Sequence, residues 1–584
     1  MLKIIKTGIK QQAERIACFT VKQYIPRLLA AWLMVSFLFF LRSTAPFTDF
    51  SYYIGIEFLL FLCLTTVLFL LLCMINSDIF ITIFLIVTAE LYFVCAVSTF
   101  YNVLFSFGLC LLLCAMVLYS DFNSINIRFD KRMLWIFICL LAVVFTLFTG
   151  IVCCLYYKNY RTPCFDFGLF SQMFYYMKET GKCLTTCERD GLLNHFAVHF
   201  SPVFYLLLPV YMLISSPCTL LIAQGVVVAS GVVPLALLCK HLKFSNTASV
   251  LFAGCYLLYP SFLGGCFWYL HENCFLTPFI LWYFYFSEKK RLLPTLFFAL
   301  LTLLVKEDAA VYVAVIALYF IVSQKNKKRY CAVLIFSIVY FITVTKLMSI
   351  YGEGIMSGRY DNYIYDNGGL FTVMKSVIQN PIYTIQQIFT QEKLIFILQM
   401  LVPLAFLPVV TKSPARLILL IPFVLVNLMT NYPYQYDVHY QYAFGSGAIL
   451  FCLAAVNYAD LGEKRGKILL CAVLSSVIIF AGGYGGKAFY VESYWNNTEQ
   501  RQVIDEALSL IPDDASVSAS TFLLANLSQR EEIYELETTR RQASYMVLDL
   551  RCENDQYSVN DYFNDDYNTV FYREGVIGIF QRCK

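Results

Sequence analysis

Charge is scarce in this chain. Only 14% of its 584 residues are Asp, Glu, Lys or Arg, against 59% hydrophobic and 17% aromatic, which excludes a soluble globular protein and leaves many runs able to cross a bilayer. Histidine is scarcer still, five in all. Neither a GxGxxG nor a P-loop pattern occurs, which removes the usual nucleotide fingerprints and argues against a transporter driven by its own nucleotide hydrolysis. No zinc-like CxxC pair occurs, and most of the 22 cysteines lie in apolar runs such as Phe61 to Cys73, where cysteine acts as a small hydrophobe. A basic stripe with interleaved aromatics is missing. The net charge of +4 is spread over short loops, so it bears on membrane topology and excludes nucleic acid as a partner. Internal repeats and low-complexity tracts are absent.

What is there is a succession of apolar runs. Residues 1–27 are basic and lack a compact apolar core with a small-residue cleavage site, so they read as a cytoplasmic tail. Runs near 28–41, 54–74, 79–98 and 100–119 make a four-helix extension over 28–132, and a crossing near 133–155 opens a core over 133–485. Residues 156–200 form a large outer loop. The next apolar stretch, 201–215, holds Pro202 and Pro209 and is short of the roughly 20 residues a straight crossing needs. If it crossed, the basic clusters at Lys240–Lys243, Glu288–Arg291, Lys325–Arg329 and Glu463–Lys467 would fall outside, against the positive-inside rule. If it turns back, all four fall inside. The second alternative gives crossings near 219–239, 246–263, 273–287, 292–305, 309–323, 331–350, 393–411, 414–430, 443–458 and 467–485, with a second outer loop over 351–392. The expectation is an all-α polytopic membrane protein of about fifteen transmembrane helices, with re-entrant or juxtamembrane helices. Beyond residue 486 the composition becomes that of a soluble domain. Helices at "QRQVIDEALSLIPDD" and "TFLLANLSQR", strands at "ASVSAS" and "ASYMVLDL", and a hairpin around Glu574-Gly575 predict a small C-terminal extracytoplasmic α/β domain. Cys552 with Cys583, and Cys183 with Cys187, are candidate disulfides.

This topology gathers polar clusters on one rim, where groups at membrane depth must pair or line a wet cavity. Asp166, between two phenylalanines in "CFDFGLF", suits a general base whose pKa burial raises, with Arg161 as a neighbour able to hold it ionised; it equally suits a helix N-cap. His195 and His199 share a helical face if "GLLNHFAVHFSP" is helical. That spacing lets two imidazoles meet one ligand or a divalent metal, with His271 and Glu272 as further donors. The alternative is a pair of hydrogen-bonded histidines anchoring an interfacial helix. Lys306, Glu307 and Asp308 form a charged turn that must face water, each other or a ligand; Asp308 can cap the next helix, while Lys306 and Arg359 suit a phosphate. The tyrosine-rich "NYPYQYDVHYQY" reads as an interfacial aromatic belt, although Gln435, His439 and Gln441 can also read sugar hydroxyls.

Taken in order, "FDFGLFSQMFYYMKETG", "NHFAVHFSPVFYLLLPVY", "LLYPSFLGGCFWYLHEN", "LLVKEDAAVYVAV" and "IPDDASVSASTFLLANLSQREEIYEL" resemble a bacterial family of polytopic membrane proteins of unknown function. That family in turn resembles the GT-C glycosyltransferases, over roughly residues 133–584. The resemblance implies that Asp166 is the catalytic base or orients the acceptor, and that "HFSP" opens an in-membrane helix. It places His271 and Glu272 at an "FHP"-like position, here departing by the glutamate, and matches Lys306–Asp308 to a Lys-Glu-Asp turn. No cofactor is expected beyond a divalent metal as an option. The function so implied is a cell-membrane glycosyltransferase moving a sugar from a polyprenyl-phosphate carrier to an extracytoplasmic acceptor with inversion. The alternatives are a lipid or polysaccharide transporter, or a non-catalytic binding member.

Overall fold

In a computed structural model, the protein is described at residues 16–17, 19–54, 56–120, 128–189, 191–324, 327–354, 356–365, 369–537, 543–552 and 557–583. Most of the basic tail, residues 1–15 and 18, and Lys325 and Asn326 of the third basic cluster lie outside these residues. The chain divides into two units. One comprises Met1–Arg128, Leu401–Phe406 and Asp460–Gly486; the other comprises Phe129–Met400, Leu407–Ala459 and Lys487–Lys584.

The first unit contains helices Val21–Arg42, Phe58–Cys73, Asp78–Thr99, Val103–Tyr119 and Arg465–Gly483, some of which start at side-chain caps. Ser77 and Asn102, for example, accept backbone N–H groups from Phe80 and Phe105. Arg27 is 1% exposed. It donates to Leu72 O and Ile75 O and pairs with Asp78 at 2.7 Å, which satisfies carbonyls at the end of Phe58–Cys73.

The second unit is organised by one antiparallel helix pair, Lys131–Lys158 and Pro217–Ser230. Cys154 Sγ meets Cys218 O at 3.7 Å, Gly150 faces Ile222, and Gly225 faces Thr146 and Thr149. A Cβ on Gly225 would stand 2.8 Å from Thr149 Oγ1; small residues here let the two backbones approach. At the other end Asn246 donates to Phe129 O at 2.9 Å. Residues 158 and 217 therefore lie at one end of the unit and 129 and 246 at the other.

From there the chain alternates. Cys153 meets Cys266 O, Val203 N donates to Leu304 O, and Glu353 N donates to Ala197 O at the first end. Tyr330 donates to Ser287 O, Arg416 to Asn457, and Phe244 packs on Tyr458 at the second. Lys289 lies near His241 at this second end. The stretch 201–215 becomes a 3-10 turn Pro202–Leu206 and a short helix Leu208–Leu213, broken as its prolines require. Its two ends lie at the same end of the unit, so it returns to where it began.

Seven helices among the described residues are long and apolar enough to cross a membrane: Val21–Arg42, Asp78–Thr99, Lys131–Lys158, Pro217–His241, Lys328–Tyr351, Gln441–Ala459 and Arg465–Gly483. The pair Asn246–Leu257 and Pro260–Phe267, bent by 41° before Pro260, makes an eighth if it is one span. The other expected crossings are shorter pieces, because glycine, proline and polar residues interrupt them. Phe58–Cys73, for instance, has 16 residues, about 24 Å against a hydrocarbon core of about 30 Å, and Pro414–Leu428 is built of 3-10 and π turns.

The C-terminal segment closes the unit with a five-stranded sheet. After the two-stranded pair β1 (Leu184–Thr185) and β2 (Leu193–Asn194), β3 (Val517–Ala519), β4 (Ile533–Glu535), β5 (Tyr545–Asp549), β6 (Tyr567–Arg573) and β7 (Ile577–Arg582) follow. Their order is β4-β3-β5-β7-β6, parallel across β4-β3-β5 and antiparallel beyond. Gly575, at φ 68°, makes the expected hairpin turn. Neither expected disulfide is present. Cys183 and Cys552 are free, as are Cys187 and Cys583, and Cys187 instead bonds to Gln172 Oε1.

Because residues 159–216 leave and rejoin the same end, cysteines placed at Lys289 and at Asn194 should label from opposite faces of an intact membrane, above the background of native thiols. Labelling of both from one face would overturn the fold's alternation.

Candidate functional site

The segment that carries Asp166 is held by the sheet domain. Cys164 N donates to Thr521 Oγ1, Arg551 donates to Tyr160 O at 2.7 Å, and Gln172 Nε2 donates to the carbonyls of Arg530 and Glu531. Thr186 both donates to Ile533 O and accepts from Ile533 N, pinning the loop to β4. So gripped, Cys164–Gly168 forms a π turn after Pro163. Asp166 within it adopts φ 65°, a left-handed conformation that costs energy and persists where surrounding contacts enforce it.

The Asp166 carboxylate caps no helix. Its Oδ2 accepts the indole N–H of Trp268 at 2.9 Å, and Trp268 precedes another left-handed residue, Tyr269 at φ 72°. Burial pushes the Asp166 pKa up to about 6; Glu272 and Glu188 add to the rise, while the Trp268 bond and Lys306 oppose it. Arg161 is not among the charges acting on it and lies beside Tyr156 instead.

Beneath this acid lies a buried network. Lys306, 2% exposed, pairs with Glu272 at 3.0 Å, and Glu272 faces His271 Nδ1 at 3.0 Å. Burial alone would drive the Lys306 ammonium to neutrality, but the carboxylates of Glu272, Glu307 and Asp308 outweigh it and hold its pKa above the ordinary value. Glu307 accepts from Phe200 N at 3.1 Å and faces His199 Nδ1 at 2.9 Å. Asp308 does not cap the following helix. Its Oδ1 is buried with no hydrogen-bond partner among the described residues.

The two loop histidines do not share a ligand. His195 Nδ1 faces Glu188 at 2.9 Å, whereas His199 faces Glu307. For His195, burial favours the neutral ring but Glu188 outweighs it, so its pKa rises and it is the more readily protonated. For His199, burial and the nearby cations Lys306 and Arg359 push the pKa well down, leaving a neutral imidazole. No cluster of three His, Cys, Asp or Glu among the described residues has the geometry to hold a metal ion.

Across the site Arg359 stacks over Tyr432 at 4.8 Å and Tyr442 at 5.0 Å. No carboxylate among the described residues pairs with it, in contrast to Lys306. Arg359 is partly exposed. Rings run from it towards Asp166: Tyr432 on Tyr434, Tyr434 on Tyr440 at 4.6 Å, and Tyr440 on Trp268 at 4.4 Å. The charges of Arg359, Lys306 and Asp166 all act on the Tyr442 phenol. Gln435 and Gln441 are buried, each with an unpartnered Oε1, and His439 is exposed beside Asp437 at 2.7 Å. Sequence reasoning gave no role to Glu188, which stands in none of the quoted segments, or to Trp268, which stands in "LLYPSFLGGCFWYLHEN" without a motif of its own.

Lys306→Met should leave Glu272 buried and uncompensated, costing about 3–5 kcal/mol in detergent-solubilised protein. The double variant Lys306→Met/Glu272→Leu should recover most of that in thermal unfolding. Equal losses in both would remove the ion pair from the account.

No curated protein sequence matches the chain. Residues 157–570, which span Asp166, the buried network and most of the sheet domain, match the family described as "Predicted membrane protein (DUF2079)", and the chain belongs to that family.

Proposed function

We propose that the protein is a membrane glycosyltransferase of GT-C type that moves a sugar from a polyprenyl-phosphate carrier to an acceptor hydroxyl on the outer side of the cell membrane. In this proposal the lysine-bearing end of the second unit faces the cytoplasm, the shorter apolar pieces complete about fifteen passes, and the Asp166 rim faces outward. The single observation that carries it is a half-buried carboxylate with one oxygen fixed by Trp268, set across an aromatic wall from an arginine that no carboxylate among the described residues neutralises.

The chemistry divides among the residues accordingly. The acceptor O–H gives its proton to Asp166 while its oxygen attacks the anomeric carbon from the face opposite the leaving group. The bond from that carbon to the phosphate oxygen breaks, and the electron pair leaves with the phosphate. Arg359 takes the phosphate, since its planar fork matches the anion; preorganised charge of this kind supplies much of the rate in a dry site. Lys306, committed to Glu272, holds the floor and adds field. The tyrosine rings and Trp268 offer apolar faces to the sugar.

Asp166→Asn should lower transfer about 10²–10⁴-fold while the protein remains folded. Lipid-linked sugars and envelope glycans of cells with and without the protein, read by mass spectrometry, identify donor and acceptor together. Transfer unchanged by the variant sinks the proposal. So does loss of lipid movement with every glycan intact.

A carboxylate base titrating near 6 must be deprotonated to act, so activity should be level above about pH 7 and fall about tenfold per unit below about pH 6. A profile flat from pH 5 to 8 in the same assay would rule out Asp166 as the base.

A further inference from the structure

The first unit contains a recess that the proposed chemistry does not use. It lies where helix Val21–Arg42 ends and helix Phe58–Cys73 begins, and it has a volume of about 240 Å³, roughly the liquid volume of eight waters. Arg42, Thr44, Tyr52 and Glu57 are among its lining residues. Arg42 is the last residue of the first helix, and Glu57 immediately precedes the second.

These two charges are opposite, share one recess and do not pair. Neither side chain forms a hydrogen bond or ion pair among the described residues, and Glu57 does not cap its own helix. Two flexible opposite charges lining one small recess would ordinarily close on each other. Unpaired, they present a positive and a negative pole to whatever enters the recess. A molecule bearing an anion and a cation in the reverse sense satisfies both at once.

Depth selects the molecule. Val21–Arg42 has 22 residues, about 33 Å of helix, which matches a hydrocarbon core of about 30 Å. Arg42, at its end, therefore stands at head-group level. Leu38, Leu41 and Leu59, at 53%, 58% and 81% exposure, offer apolar surface beside the recess for acyl chains. Arginine matches phosphate with a planar fork, and a carboxylate accepts hydrogen bonds from a primary ammonium. A quaternary ammonium donates none and favours an aromatic cage, whereas Phe39 and Tyr52 are the two aromatics among the ten lining residues. We propose that this recess binds the head group of an ethanolamine phospholipid, phosphate on Arg42 and ammonium on Glu57.

The full chain should be extracted into detergent, offered equal amounts of phosphatidylethanolamine and phosphatidylglycerol, and weighed by native mass spectrometry. Retention of phosphatidylethanolamine should exceed that of phosphatidylglycerol roughly tenfold. Glu57→Gln should erase the preference while keeping both lipids, and Arg42→Gln should weaken both. The two side chains are exposed, so folding is expected to survive, and thermal unfolding checks that it does. Displacement by soluble phosphoethanolamine supports the same charge pairing. Equal retention of the two lipids by the unaltered protein overturns the proposal, as does a preference that persists in both variants. If the variants fail to fold, competition with phosphoethanolamine against glycerophosphate on the unaltered protein decides: equal displacement by the two also overturns it.

Discussion

Close packing of two antiparallel helices, Lys131–Lys158 and Pro217–Ser230, governs the second unit. Gly150 and Gly225 bring the backbones together, and the register they set leaves residues 159–216 with both ends at one level. A long polar connection is thereby confined to a single end. The turn bearing Asp166, the loop with His195 and His199 and the broken stretch 201–215 all belong to that connection. The later segments return to the same end with Trp268, Glu272, Lys306 and Arg359, each at a helix terminus or in a short turn, where a polar side chain does not have to displace the apolar face of a span.

The site so assembled has two layers of different character. The lower layer is a set of buried pairs: Lys306 with Glu272, and the rings of His199 and His195 against Glu307 and Glu188. Such pairs contribute little net stability after desolvation but fix geometry, because breaking one leaves a charge stranded. The upper layer is open: Asp166 has one oxygen bonded to Trp268, and Arg359 rests on tyrosine rings and Met356 Sδ with no carboxylate partner among the described residues. In the proposed function a ligand meets the upper layer, and the lower one keeps its walls in place.

Much of this was legible in the chain. The paucity of charge announced a membrane protein. The basic clusters favoured a turn back over 201–215, and the packing of Cys154 on Cys218 puts both ends of 159–216 at one end of the unit. The polar C-terminal stretch was readable as helices, strands and a hairpin because alternation and turn residues are local signals. Strand β4 was not foreseen, since "EIYEL" is short and depends on its neighbours. Partners were less legible than positions. The residue acting on Asp166 was expected to be Arg161, five positions away in sequence, and is instead Trp268, brought over by a different helix. His195 and His199 look like a pair on paper because helical spacing was assumed. The segment is a short 3-10 turn, and each ring finds a glutamate instead. The tyrosine-rich stretch looked like a belt at the membrane surface, and only three-dimensional packing reveals a row of rings linking Arg359 to Trp268.

The left-handed backbone at Asp166 acts as a filter on what this position can hold. Asparagine and aspartate tolerate that conformation far better than longer or branched residues. A glutamate would bring the same charge on a backbone that resists the turn. The proposed chemistry asks for an acid, and the main chain itself narrows the choice of acid to the shorter one.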